Sequence, residues 1–339
     1  MKGPGNKPTP RWLYDFFAFL GRLPFRGWAL ATPIFLLGTL AMHLDAWRLG
    51  LVPTGELNLY LTTSTLYVVA YPGLWLLLDQ RARTALREFL RDKSNAKFEA
   101  TYADFVSLPT LSGTLVFVLG SLLGFEFFTT LQETEPLIGR VLPVWDFISW
   151  VPITGLMFML IYRTIRQGVF MPRLFNEIEV SLFDPSPVYA LSRYASQASV
   201  ALLVINFALV YASIPSQLLT PAALFYVVLV LGGSLLYFFA PLSSINTRMR
   251  KEKERLLAEI GTDLEDIYNL VQSSVRSRKF AQVDKLRNSI PALKDQLEIV
   301  RRSSTWPWQP ETLRNLLTPM LIPVVVYILQ RYLGALLGF

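Results

Sequence analysis

Carboxylates that flank long apolar runs are the residues of this chain whose type and setting could do chemistry. Asp45 closes the first such run, Glu126 ends the third, and Asp146 lies at the start of the fourth. Arg331 falls two-thirds of the way along the last run, and Asn206 falls near the middle of the fifth. A charge at a bilayer centre costs about 2.5 to 3.5 kcal/mol, so these positions are candidates for an ion pathway or a buried ion pair. The chemistry would be electrostatic: acidic side chains concentrate cations, and Arg331 is attracted to Asp146 or Glu126 where the dielectric is low. The same residues also fit helix ends in headgroup water, with Arg331 reaching the surface by its long stem. Asn206 suits an interhelical hydrogen bond as well as a ligand.

Covalent and metal chemistry has little to work with. The chain has no Cys and one His, His43, which removes thiolate sites and any site needing two histidines. No zincin, phosphate-loop, nucleophile-elbow or calcium-loop motif occurs. The expectation is a protein that is not an enzyme and has no cofactor and no metal.

The elements that would position these residues follow from composition. Hydrophobic residues are 52% of the 339 and charged residues 17%, against about 25% charged in soluble domains. From Tyr194 to Thr247, 54 residues pass without Asp, Glu, Lys, Arg or His. A bilayer core about 30 Å thick needs about 20 apolar residues as a helix. Runs of that kind lie at 27–44, 57–78, 105–125 and 147–162. The uncharged stretch divides at Pro215-Ser216-Gln217 and Pro221 into 196–214 and 221–242, and 316–337 makes a seventh. Proline and glycine recur within these runs (Pro33, Pro72, Pro152, Pro319), as suits kinked membrane helices.

Basic residues set the orientation. Of the 32 Lys and Arg, 29 fall before span one or in the loops after spans two, four and six, and cytoplasmic loops are the enriched ones. The fold expected is therefore an all-α polytopic membrane protein of seven transmembrane helices. Its N-terminus is cytoplasmic and its C-terminus outside, in a cell membrane, by resemblance a bacterial inner membrane. The organisation reads as a tail and interfacial helix over 1–26, a six-span domain over 27–242, a cytoplasmic insert over 243–312 and the seventh span over 313–339. The net charge of +7 fits contact with anionic lipid. Nucleic acid is not an expected partner, since no basic fold with interleaved aromatics is present.

The insert carries Met249, Leu256, Ile260, Leu264, Ile267 and Val271 on one helical face, and Phe280, Val283, Leu286, Ile290, Leu293, Leu297 and Val300 on another. Two amphipathic helices joined by a polar turn pair as a hairpin, with Pro291 expected to kink or restart the second helix and Ser289 to cap it. The hairpin either packs on the cytoplasmic ends of the spans or joins copies of the chain or a partner protein through residues 246–303. Thr305-Trp306-Pro307-Trp308 then forms a rigid elbow at headgroup level. This elbow, the run from Leu182 to Ser196 and Pro241-Leu242 before a basic helix resemble uncharacterised bacterial multipass membrane proteins, a likeness that implies no activity. The composition and the sorted charge suit a homo-oligomeric channel- or transporter-like protein for ions or small solutes. The alternative is a non-conducting scaffold or sensor whose hairpin binds a partner.

Overall fold

The computed structural model describes residues 28–134, 137–176, 181–213, 221–277, 280–321 and 325. Arg331, most of the seventh span, the segment 11–23 and the turn at Pro215 lie outside the described residues, as does the side chain of Asn206. The chain is all-α, 85% helical, with no strand among the described residues.

Among the described residues eight helices follow one another: α1 Trp28–Arg48, α2 Leu59–Phe89, α3 Asn95–Val106, α4 Thr110–Thr134, α5 Pro143–Phe175, α6 Ser186–Ser213, α7 Pro221–Arg276 and α8 Phe280–Arg302. A further helical stretch covers 310–321. Four segments of the described residues are long and apolar enough to cross a membrane: Leu59–Phe89, Asn95–Glu133, Pro143–Phe175 and Val228–Arg276. The second of these includes α3, a short amphipathic helix that the sequence pattern does not announce. Ser94 caps it by accepting from the Lys97 N–H at 3.3 Å, and it buries Phe98, Thr101 and Phe105.

The main core forms where α2, α5, α6 and α7 meet the 310–321 helix. Fully buried Leu86, Met159, Tyr194, Phe238 and Leu316 belong to it. Helix α4 lies against α5 on glycines. A Cβ on Gly124 would stand 2.4 Å from the Trp150 carbonyl oxygen, and one on Gly155 would stand 2.8 Å from the Phe117 carbonyl oxygen. Small residues let backbones approach that closely, as they do between membrane helices. The other side of α4 presents Leu111, Leu115, Leu119 and Leu122 outward, a continuous apolar surface of the kind lipid covers.

Two expectations need correction. Helix α5 does not end at Tyr162. It continues to Phe175, so Arg163, Arg166 and Arg173 are helical rather than loop residues, and Arg163 is only 3% exposed. The helix α8 runs unbroken through Pro291, because one proline removes a single i→i−4 bond and a helix anchored on both sides tolerates that loss. Helix α7 runs 56 residues, from the apolar run at 221–242 straight into the amphipathic segment beyond it. Helices α7 and α8 then pack as a hairpin. Lys253, which interrupts the apolar stripe of α7, donates to the carbonyls of Arg301 at 2.6 Å and Ser303 at 2.8 Å. It thereby satisfies carbonyls that the end of α8 leaves open.

Candidate functional site

Helix α2 presents Tyr60, Ser64, Tyr67, Tyr71, Trp75 and Asp79 at steps of three and four, which places them on one face. That face meets α5, from Asp146 at one end to Arg163 and Gln167 at the other. The interface is thus a polar and aromatic seam enclosed in an apolar bundle.

At the Asp146 end, strained backbone and buried charge occur together. Leu142, the residue before Pro143, adopts φ 38° and ψ 68°, a left-handed conformation costing about 1 to 2 kcal/mol for a residue with a Cβ. Its N–H donates to Asp45 Oδ2 at 2.9 Å, and its carbonyl accepts from the Asp146 N–H at 3.1 Å. Asp45 also accepts from Arg48, at 2.7 and 3.0 Å. These bonds hold the Asp45 carboxyl below its ordinary range, the Leu142 N–H contributing most and Arg48 next.

Asp146 itself is wholly buried. Tyr60 donates its hydroxyl to Oδ1 at 2.6 Å, and the Gly139 N–H donates to Oδ2 at 2.6 Å. Trp150 Nε1 donates in turn to the Tyr60 hydroxyl at 2.9 Å. No cation pairs with Asp146 among the described residues, so a chain of neutral donors is what holds it. His43 braces the same end. Its Nδ1 donates to the Thr39 carbonyl at 2.8 Å, and its Nε2 accepts from the Asn58 N–H at 2.9 Å. That pattern requires the neutral ring. Asn58 meanwhile caps α2 through the Tyr60 and Leu61 N–H groups.

The middle of the seam holds an enclosed space of about 10 Å³ bounded by Ser64, Tyr67, Tyr71, Ser149, Thr154 and Met157. That is about the room one water needs. The buried Ser64 hydroxyl has no protein partner.

At the other end Arg163 donates to Asp79 Oδ1 at 2.5 Å, and Tyr102 donates to Oδ2 at 2.5 Å. The guanidinium lies 4.6 Å from the Trp75 ring centroid, a cation–π arrangement. Tyr194 donates to Gln167 Oε1 at 2.6 Å. Four buried polar groups here have no hydrogen-bond partner among the described residues: Arg163 Nε and Nη1, Gln167 Nε2 and the Tyr237 hydroxyl. Gly168 makes room for Tyr237, whose ring would stand 2.9 Å from a Cβ at that position.

Of the residues singled out from sequence, the structure brings Asp45 and Asp146 together, joined through the backbone of Leu142. Glu126 is exposed on α4 beside exposed Phe125 and Phe127, and its carboxylate makes no bond to any described residue. Arg331 and the side chain of Asn206 lie outside the described residues. The Asp79–Arg163 pair was missed. Each stands at the edge of an apolar run and reads as a loop charge, although the i,i+4 pair Arg163 and Gln167 and the tyrosine spacing of α2 were available signals. Among the described residues no cluster of His, Asp or Glu could hold a metal.

Comparison with known proteins returns no match to the chain, whether to a protein family, a curated protein or a solved structure. The length and composition of the apolar helices are compatible with a membrane protein, and no relative adds an activity.

Proposed function

We propose that this is a seven-span ion-translocating membrane protein, channel- or transporter-like, whose path is the α2/α5 seam and whose ion is the proton. The N-terminus and the α7/α8 hairpin lie in the cytoplasm in this reading, and the C-terminus lies outside. Asp146 then opens the seam on the outer side, and Asp79 with Arg163 closes it on the inner side.

The observation that carries the reading is a fully buried carboxylate, held by a tyrosine hydroxyl, at the head of a line of hydroxyl-bearing residues that ends at an ion pair whose arginine is buried and whose aspartate is partly exposed. Ionisable groups inside a bundle are costly and mark ion or proton paths. The width of the seam selects the ion: room for about one water excludes a hydrated cation, whereas a proton passes along hydroxyls and single waters. Partner-free donors on Ser64 and Arg163 supply places for such waters.

The test is proton flux in liposomes of neutral lipid, with a pH-sensitive dye inside and a potassium diffusion potential as the driving force. Wild-type protein acidifies or alkalinises the lumen according to the sign of the potential, and Asp146→Asn and Tyr60→Phe each lower the rate at least tenfold. Absence of flux, or flux unchanged by both substitutions, refutes the path.

One observation favours a second reading, a scaffold. Tyr268, Leu270, Val275 and Ile299 remain exposed on the hairpin, outside the two apolar stripes, so the hairpin keeps apolar surface that one chain does not cover. Residues 246–303 would then bind a partner protein and the spans would conduct nothing. The same residues serve the homo-oligomer of the first reading.

A further inference from the structure

We infer that the groove between α7 and the Trp306–Trp308 elbow is a binding site for the phosphate headgroup of an anionic phospholipid. Helix α7 is uncharged through Thr247 and basic from Arg248 onward, so residues near 243–251 stand where an apolar layer meets water. There a groove of about 580 Å³ opens beside the helix, within the size range of small-molecule sites. One wall is Asn246, Arg250 and Lys251, and the other is Trp306 and Trp308.

The two walls suit the two parts of a lipid. Trp308 packs on α7 with its ring 5.4 Å from Phe238 and 5.5 Å from Phe239, which fixes the elbow. Trp306 stacks on Trp308 at 4.8 Å yet stays 54% exposed. An exposed indole at this level is the side chain that settles among glycerol and acyl ends. Opposite it, Lys251 is exposed and makes no ion pair or hydrogen bond with any described residue. Arg250, which also lines the groove, spends its Nε on Glu254 at 3.3 Å, and its two Nη groups make no hydrogen bond to any described residue. Two cations facing one carboxylate leave a net positive wall, complementary to a phosphodiester. A zwitterionic headgroup would bring its own cation to the same wall and lose that advantage.

The inference does not rest on the proposed orientation or path, because binding in detergent is read without sidedness or flux. Purified full-length protein in a neutral detergent is titrated with dihexanoyl phosphatidylglycerol, dihexanoyl phosphatidylcholine or inorganic phosphate, and thermal stability and mass-resolved lipid retention are followed. Phosphatidylglycerol is expected to raise Tm and to be retained. Phosphatidylcholine and phosphate at equal concentration are expected to do neither. Arg250→Gln with Lys251→Gln should weaken the phosphatidylglycerol effect roughly tenfold or more, and so should Trp306→Ala, whose Tm without lipid reports its folding. Equal response to phosphatidylcholine, or unchanged binding in the charge variants, overturns the site. A response to inorganic phosphate as large as that to phosphatidylglycerol overturns the lipid as occupant. Failure here leaves proton flux in neutral liposomes unaffected, so the two proposals fail separately.

Discussion

Arg163 shows how a residue's setting decides what its loss would cost. Its charge is buried, paired with Asp79 and lying over Trp75. Removing the partner of a buried charge strands that charge, at a cost of about 3 to 5 kcal/mol, whereas replacing both members with apolar groups can be nearly neutral. The charge at risk here is Arg163, 3% exposed, because Asp79 is 36% exposed and stays within reach of water when left alone. Asp79→Leu is therefore expected to lower the thermal stability of the detergent-solubilised protein more than Arg163→Met does. Adding Arg163→Met to Asp79→Leu should recover much of the loss, although Tyr102 is left without its acceptor. A double variant no more stable than Asp79→Leu would show that the pair does not act as a unit. The local pattern of each residue does not single it out, because a charge at the end of an apolar run looks the same whether it faces water or a neighbouring helix. Asp146 was legible for the opposite reason: Leu142 to Trp145 extend the apolar run beyond it, so it is flanked on both sides by membrane-compatible sequence. Its partner Tyr60 was not, since a tyrosine in an apolar run looks like an interface anchor.

At the scale of elements, helix-to-helix fixtures hold the seam. Gly155 is one of the close contacts of α5 with α4, its absent Cβ leaving room for the Ser121 hydroxyl and the Phe117 carbonyl. Gly155→Val adds three carbons there and should cost about 1 to 3 kcal/mol through overpacking, seen as a lower Tm with helix content retained. Gly73, with nothing near its Cβ position, is the control. A second fixture ties the end of α2 to the start of α6: Arg91 pairs with Asp184, which also accepts from the Ser186 hydroxyl at 2.5 Å. The Ser186 hydroxyl first, and Arg91 next, hold the Asp184 carboxyl below its ordinary range. A depressed acid stabilises the fold above the carboxylate range of the unfolded chain, near pH 3.9. That stabilisation is lost as pH falls through the lower folded value. Protease sensitivity of residues 181–186 should therefore rise below about pH 4, and in Asp184→Asn it should be high and insensitive to pH over the same range. The basic residues from which an orientation is expected have structural work as well. Arg166 donates to the Ser107 carbonyl at the end of α3, and Arg248 to the Phe175 carbonyl at the end of α5. A charge count gives an expected side for these residues, but not which helix end each one closes. Helix α3 was likewise hidden, since its 12 residues are too few for a span and its apolar positions too sparse to stand out.

For the whole molecule, the question is what the length of α7 is for. At about 1.5 Å per residue, its 56 residues reach about 84 Å, nearly three times the thickness of a bilayer core. More than half of that length must project from the membrane. A hairpin serving only to cap the spans would bury its apolar stripe near them, as Ile245, Met249 and Val300 do. Farther along, Leu264, Ile267 and Val271 are only half-buried, while Tyr268, Leu270 and Val275 are exposed. The tip is thus the part of the described hairpin with unspent apolar surface, and a second copy of the same hairpin offers a matching surface. If copies join there, Leu270→Glu with Val275→Glu should convert an oligomer into a monomer, as measured by light scattering in detergent. The spans and the Tm set by the core should be unchanged, because both substituted positions lie far from α2 and α5. Flux per chain then separates the two uses of the hairpin. If each chain holds its own α2/α5 path, the monomeric variant conducts as wild type does. Flux lost along with the oligomer would instead place the path between subunits, and the seam within one chain would be structural.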